Sequence, residues 1–223
     1  ETRGRIAYHV APALHFDSSK AVRAAAFVDS LAAVFGVPAP ARIDYYVAES
    51  VDQAVEIVGA VMPQRYGPAG GYSRPTNAQV FSGIPALGEN YRHELTHVML
   101  LSMTREGPLT LLASEGVPTW FGGSGGRDFQ GSVRHLASLL KAQPTLDLWV
   151  IMHDMRVSAE IRNPAGAVLA QLVNESGGVD AVREYLSTPE HELPDVLERL
   201  LKRPWDTIAA DWRRRVDEIA ATT

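Results

Sequence analysis

The sequence contains no cysteine in its 223 residues. This absence excludes disulfide bonds and every metal site built on thiolates. A metal bound by this chain must therefore be held by His and carboxylate side chains. The compartment stays open, because a lack of cysteine is compatible with secreted proteins as well as with cytosolic ones.

Long apolar runs and long basic runs are also missing. No apolar segment approaches the roughly 18–20 residues that span a bilayer. The net charge of -5 and the lack of a long Lys/Arg run do not support nucleic-acid binding. The densest basic cluster, Arg213-Arg214-Arg215, has acidic neighbours in a helical pattern, which indicates a solvated helix face. The chain begins at Glu1 with no initiator Met and no signal peptide, so we expect a mature or trimmed form.

Extended and helical patterns alternate in the first half of the chain. Strand patterns cover residues 5–10, 42–48 and 77–82, and helical patterns cover residues 18–35 and about 50–61. The segment 63–75 is rich in Gly and Pro and predicts a loop.

The second half of the chain is mainly helical. Its patterns predict helices over residues 114–121, 130–141, 164–175, 179–187, 193–200 and 205–221, with a flexible Gly-rich loop at 122–126. We therefore predict an α+β fold in a single domain, 1–223. Residues 1–105 would form a small sheet lobe, and residues 106–223 a helical lobe.

The most informative segment is His93-Glu94-Leu95-Thr96-His97, which has the form H-E-x-x-H. Residues four apart in a helix differ by about 40° around its axis and lie about one turn apart. Both imidazoles can therefore bind one metal ion from the same face. Glu94 can lean toward a water on that metal without being a ligand itself. The motif predicts a zinc site with its own general base.

A catalytic zinc takes three protein ligands and keeps one open position for water. The best third donor is Glu115, which 17 residues separate from His97. A helix, a reversal and a returning helix fit that interval. The alternative is that Glu115 is a carboxylate in the first turn of a helix, favoured by the helix dipole, with Ser114 as its N-cap.

In the sequence HELTHVML, followed after a short spacer by Ser114-Glu115-Gly116, the chain resembles the gluzincin zinc metallopeptidases. Within that group it is most similar to the secreted peptidase MA-like proteins. The resemblance covers roughly residues 40–216. It implies a zincin-like fold and a Zn²⁺ ion held by His93, His97 and Glu115. It also implies hydrolysis of peptide bonds in peptide or protein substrates, with Glu94 as the base. The strand at 77–82 would be the edge strand that binds substrate, and the location would be extracytoplasmic or secreted in bacteria.

One departure from the family concerns the oxyanion contact. The family commonly carries a Tyr near the position of Arg162, where this chain has Ile161-Arg162-Asn163-Pro164. Pro164 would mark the start of a helix, and Arg162 would lie beside that start. We predict Arg162 or Tyr185 as the replacement, with His153 and Tyr72 as further candidates. The alternative for Arg162 is an exposed residue on a loop.

The missing Tyr keeps a second function open. The chain would then be a catalytically weak or inactive zincin-like binding module that retains the metal. A third interpretation is a helical structural domain in which HELTH arose by chance. No pattern in the sequence indicates an oligomeric state.

Overall fold

The computed structural model describes residues 1–59, 70–104 and 110–222. The chain divides into two compact units, Glu1–Ser102 and Met103–Thr223. The first unit carries a sheet with helices, and the described part of the second is helical. The predicted α+β class is therefore confirmed. A single catalytic domain with lobes of residues 1–105 and 106–223 stays a prediction.

In the residues that the structure describes, the first unit contains a five-stranded sheet. Its strands are β1 (Thr2–Arg3), β2 (Ile6–Val10), β3 (Ile43–Val47), β4 (Gly71–Arg74) and β5 (Gln79–Ser82), in the order β1-β2-β3-β5-β4. The three central strands β2, β3 and β5 run parallel, whereas β1 and β4 pair antiparallel at the two edges. The strands predicted at residues 5–10 and 42–48 are confirmed. The strand predicted at 77–82 is shorter, because a 3-10 turn occupies Pro75–Asn77.

Strand β5 is an interior strand, so the expectation that residues 77–82 form a substrate-binding edge is wrong. β5 pairs with β3 on one side and with β4 on the other. Strand β4 lies at the edge of the sheet instead. The segment 63–75 was predicted as a loop, so that prediction is wrong for residues 71–74. Residues 63–69 of that segment lie outside the described residues. Gly71 allows this pairing, because a Cβ atom there would lie 2.4 Å from the carbonyl oxygen of Phe81.

In the described part of the first unit, three helices accompany the sheet. They are α1 (Ser18–Phe35), α2 (Val51–Val58) and α3 (Arg92–Leu100). α1 matches its prediction: the Asp17 side chain accepts hydrogen bonds at its start, and Gly36 ends it in the left-handed conformation, at φ 62°. Ser50 caps α2 by accepting from the backbone N–H of Gln53. The last two residues of the predicted helix 50–61 lie outside the described residues.

Two buried tyrosines of the sheet hold the loop that precedes α3. The Tyr45 hydroxyl on β3 donates to the carbonyl of Gly88 and accepts from the backbone N–H of Tyr91, both at 2.8 Å. The Tyr8 hydroxyl on β2 donates to the carbonyl of Glu89 at 3.1 Å. Tyr91 is the residue immediately before α3. The sheet therefore fixes where the helix that carries the H-E-x-x-H motif begins.

The Tyr45→Phe variant is expected to lower the free energy of unfolding by about 1–3 kcal/mol. The substitution leaves the Gly88 carbonyl and the Tyr91 N–H without their buried partner, and unpaired buried groups carry about this cost. Urea denaturation followed by circular dichroism measures the change. Tyr46→Phe is the matched control, since Tyr46 is the half-buried neighbour on the same strand. Equal unfolding midpoints for the two variants would show that the Tyr45 bonds do not stabilise the loop.

The described part of the second unit is built from helices. They are α4 (Leu111–Gly122), α5 (Phe129–Ala142), α6 (Leu148–His153), α7 (Ala159–Leu186), α8 (Leu193–Leu201) and α9 (Trp205–Ala221). The helices predicted at 130–141, 193–200 and 205–221 are confirmed, and α6 was not predicted. None of the helices in the described residues is both long and apolar enough to cross a membrane.

Helix α7 begins earlier than its sequence predicted. Pro164 lies inside the helix, so the expectation that it marks the helix start is wrong. Every residue from 161 to 170 is buried. This packing outweighs the hydrogen bond that proline cannot donate. The two predicted helices, 164–175 and 179–187, are joined through Gly178, whose φ of 65° kinks the chain.

Helices α4 and α7 cross at two glycines. A Cβ atom on Gly116 would lie 2.4 Å from the carbonyl carbon of Gly166, and one on Gly166 would lie 1.8 Å from the carbonyl oxygen of Leu112. No side chain fits between the two backbones here, so both positions require glycine. Because Glu115 directly precedes Gly116, this crossing decides which residues of α7 lie beside Glu115.

The basic run on α9 is paired with acidic side chains. Arg214 donates to Asp211 at 2.9 Å and to Glu218 at 2.7 Å, and Arg215 donates to Glu175 on α7 at 2.6 Å. The basic residues therefore pair with acidic neighbours on a solvated helix face, as the sequence predicted.

Candidate metal centre

Helix α3 carries both histidines of the motif. The Nε2 atoms of His93 and His97 lie 3.2 Å apart. Two nitrogen ligands in a tetrahedral zinc site, each about 2.0–2.1 Å from the metal, have donor atoms about 3.3–3.4 Å apart. The two imidazoles therefore already have the separation that one shared metal ion requires.

The residues around the motif are held firmly in place. All residues of α3 from His93 to Leu100 except His97 are buried. The Thr96 hydroxyl donates to the carbonyl of Arg92 at 2.8 Å, and the Arg92 guanidinium lies 5.1 Å from the ring centre of Phe27. A helix that is apolar and buried on most sides keeps its orientation. The imidazoles are thus positioned by packing.

Glu94 is a buried carboxylate, with 6% of its surface exposed. Among the residues that the structure describes, no Lys or Arg forms an ion pair with it. Carboxylates are rarely buried without a pair unless they have a functional role, because desolvation disfavours the charged form.

Glu115 lies in the second turn of α4 and is half-buried. The helix begins at Leu111, and its cap is Thr110, whose hydroxyl accepts from the backbone N–H of Leu112 at 3.3 Å. The alternative in which Ser114 caps the helix and Glu115 occupies its first turn is therefore wrong. The helix dipole at the N-terminus does not account for Glu115.

The three predicted ligands come together. The ligand atoms of His93, His97 and Glu115 all lie within 4.8 Å of one another, and this group could hold a metal ion. It offers two imidazole nitrogens and a carboxylate oxygen, with no thiolate. Such a set suits zinc and other divalent metals that accept nitrogen and oxygen donors. The residues present therefore fit the ion that the motif implies.

Arg162 lies near the start of α7 and is 9% exposed, so the alternative of an exposed arginine on a loop is wrong. Its guanidinium Nη2 donates to the carbonyl of Asp154 at 3.0 Å. Burial lowers the pKa of Arg162, and the charges of Glu190, Asp154 and Glu115 act in the opposite direction. Arginine stays protonated throughout the range in which proteins are folded. A buried cation is therefore present close to Glu115.

The other candidate oxyanion donors lie in three different environments. Tyr185 is fully buried, burial raises the pKa of its phenol well above the usual range, and its hydroxyl lies 3.5 Å from the carbonyl of Gly166. His153 on α6 donates from Nδ1 to the carbonyl of Trp149 at 3.0 Å. Tyr72 on β4 is 37% exposed. A catalytic role for Tyr185, or for either of the others, stays a prediction.

Sequence reasoning missed Asn163. Its Nδ2 atom lies 3.4 Å from Oε2 of Glu115, and the residue is 7% exposed. No local motif marks this asparagine, because the contact arises from the crossing of α4 and α7. The available signal was its position directly after Arg162, in a segment that the family resemblance had already singled out.

The strongly diagnostic parts of the resemblance to gluzincins are the HELTH and Ser114-Glu115-Gly116 segments. No protein-family model matches the chain, and no curated protein matches its sequence. Function is therefore inferred from the side chains of the site.

Proposed function

We propose that the protein is a zinc-dependent peptidase of the gluzincin type. The observation that carries this proposal is the group formed by His93, His97 and Glu115, with the buried Glu94 beside the first histidine. A bound zinc ion would lower the pKa of a coordinated water to about 7 and polarise the carbonyl of the scissile bond. The zincin-like fold and the extracytoplasmic, secreted location belong to the same proposal.

Glu94 is the general base in this proposal. Adjacent residues of a helix point about 100° apart, so Glu94 does not share the ligand direction of His93. Its carboxylate would accept a proton from the attacking water and return it to the nitrogen of the leaving amine. Its burial without an ion pair among the described residues supports this role, because carboxylates are rarely buried without a pair.

Strand β4 is the place where an extended substrate would bind. Among the residues that the structure describes, no strand pairs with the outer edge of β4. The strand packs against α3, and a Cβ atom on Gly71 would lie 2.5 Å from the ring of Tyr91. A peptide that adds a strand at this edge would exchange backbone hydrogen bonds close to the start of the motif helix. This assignment replaces the one made for residues 77–82.

A second function is favoured by one specific observation. Arg162 and Tyr185, the predicted replacements for the family's Tyr, each have a backbone carbonyl within hydrogen-bond distance, of Asp154 and Gly166 respectively. If these contacts persist with substrate bound, the chain would be a zincin-like binding module that retains the metal and turns over slowly.

Metal content and hydrolysis together test the two functions. We expect about one zinc per chain by elemental analysis, and cleavage of a dye-quenched unfolded protein that stops with 1,10-phenanthroline and returns with added zinc. Stoichiometric zinc without cleavage would establish the binding module and exclude the peptidase. If the purified chain binds no metal even after incubation with added zinc, both the peptidase and the binding module are excluded.

The Arg162→Ala variant is expected to lower kcat and kcat/KM together by about 10²- to 10³-fold, with KM nearly unchanged. This is the pattern of a contact made only in the transition state, and the size is typical of one oxyanion donor. Steady-state kinetics on a peptide that the wild type cleaves measures both constants. Arg156→Ala is the matched control, because Arg156 is exposed and bonds to the Asp154 carboxylate instead. An unchanged kcat would remove Arg162 from the site and direct attention to Tyr72, His153 and Tyr185.

A further inference from the structure

Asn163 is a short, buried amide at the point where α7 passes Glu115. It lies one turn before Gly166, and Glu115 directly precedes Gly116. The two glycines bring the helix backbones close together, as the 1.8 Å and 2.4 Å separations of their hypothetical Cβ atoms show. At such a crossing even an asparagine is long enough to reach a side chain of the other helix.

We propose that Asn163 is a positioning residue for Glu115, an inference that rests on the proposed zinc function. Its amide N–H donates to Oε2 of Glu115 at 3.4 Å. Asn163 does not touch the metal or the substrate. It acts through the orientation of the carboxylate.

The physical reason concerns how many oxygens the carboxylate offers. An ionised Glu has two equivalent oxygens and can bind a metal through one or both of them. A hydrogen bond to Oε2 would favour coordination through one oxygen, and the three protein ligands would then leave a position for water on a bound zinc ion. Partners of this kind orient metal ligands, and their loss typically costs 10- to 100-fold in metal affinity.

The surroundings of Asn163 favour this role over simple packing. Asn163 is 7% exposed, and a buried amide with no hydrogen-bond partner would be costly. The adjacent Arg162 contributes a positive charge that acts on Glu115 from the same helix. The start of α7 therefore presents both a hydrogen-bond donor and a cation to the Glu115 carboxylate.

The test uses the full chain with Asn163→Ala and Asn163→Leu, which both remove the donor while Leu keeps most of the volume. Zinc affinity is measured by competition with a chromophoric chelator, and coordination is measured from the visible absorption of the Co²⁺-loaded protein. We expect both variants to bind zinc 10- to 100-fold more weakly. We also expect a weaker Co²⁺ absorption, because a released carboxylate that binds through both oxygens raises the coordination number above four. Gln171→Ala is the matched control, since it removes an amide from α7 whose oxygen, within the described residues, accepts from Arg215 and not from a ligand residue.

The outcomes separate this inference from the proposed function. If the wild type binds zinc and both Asn163 variants match it in affinity and in Co²⁺ spectrum, the positioning role is wrong and the zinc site stands. A wild type that binds no zinc overturns the proposed function, and the inference with it. Equal spectra combined with weaker binding and a lower melting temperature of the metal-free protein would show a purely structural role and also overturn the inference. If one variant fails to fold, the other decides.

Discussion

The His97→Ala variant is expected to lose its zinc. Structural zinc sites bind with about 10–16 kcal/mol across four ligands, so that one ligand contributes about 2.5–4 kcal/mol. Removing one of only three protein ligands should therefore weaken zinc binding by about 10²- to 10³-fold. His97 is half-buried on α3, with its Nε2 atom 3.2 Å from that of His93. Elemental analysis after dialysis and competition with a chelating dye measure the loss.

The control for this variant is His135→Ala. His135 also lies on a helix, α5, where Nε2 is 3.4 Å from a carboxylate oxygen of Glu160. It belongs to no group that could hold a metal among the described residues. We expect its zinc content to equal that of the wild type. If His97→Ala keeps stoichiometric zinc with unchanged affinity, the ligand set of His93, His97 and Glu115 is wrong.

The Glu94→Gln variant is expected to keep its zinc and to hydrolyse peptides at least about 10²-fold more slowly. Glutamine has nearly the same shape as glutamate but cannot accept a proton from water at neutral pH, and general-base catalysis contributes about this factor. In the proposed site, the substitution removes none of the three ligands His93, His97 and Glu115. Steady-state rates and zinc content are measured on the same preparation, so that slow turnover is not confused with metal loss.

Glu89→Gln is the matched control, because Glu89 is equally buried, with 2% exposed. Its Oε1 accepts from the backbone N–H of Asp17 at 2.8 Å, and the amide oxygen of glutamine can accept the same bond. We expect a rate within about twofold of the wild type, as for a substitution that preserves its hydrogen bond. If Glu94→Gln instead loses zinc with the fold intact, Glu94 has a structural role or is itself a ligand.

Local signals predicted those elements whose ends are set by their own residues. α1 begins and ends at Asp17 and Gly36 because a side-chain cap and a left-handed glycine act locally. Strand β4 was missed because Gly71–Arg74 has little strand character of its own and pairs only through contact with β5. α7 was predicted to begin at Pro164 because proline breaks the local pattern, whereas burial of residues 161–170 carries the helix through it. The two predicted pieces meet at Gly178, where the chain is kinked.

The residues of the candidate site also divide into those that a local pattern predicts and those that depend on contacts between distant segments. The pairing of His93 with His97 and the place of Glu94 follow from the spacing along one helix, which is visible in the sequence. Glu115 was inferred from its distance along the chain and from the resemblance to a family. Asn163 could not be inferred in this way. Its contact depends on a helix crossing between residues about fifty positions apart, and no periodicity encodes such a crossing.

The crossing of α4 and α7 also has a consequence for protein engineering. Replacing glycine by alanine inside helices is a common way to raise thermal stability, because glycine costs about 1 kcal/mol relative to alanine there. At positions 116 and 166 the added methyl group would meet backbone atoms at 2.4 Å and 1.8 Å. The helices would have to move apart, carrying Glu115 away from Asn163. A redesign guided by helix propensity alone would therefore disturb the position of Glu115, a residue of the candidate metal centre.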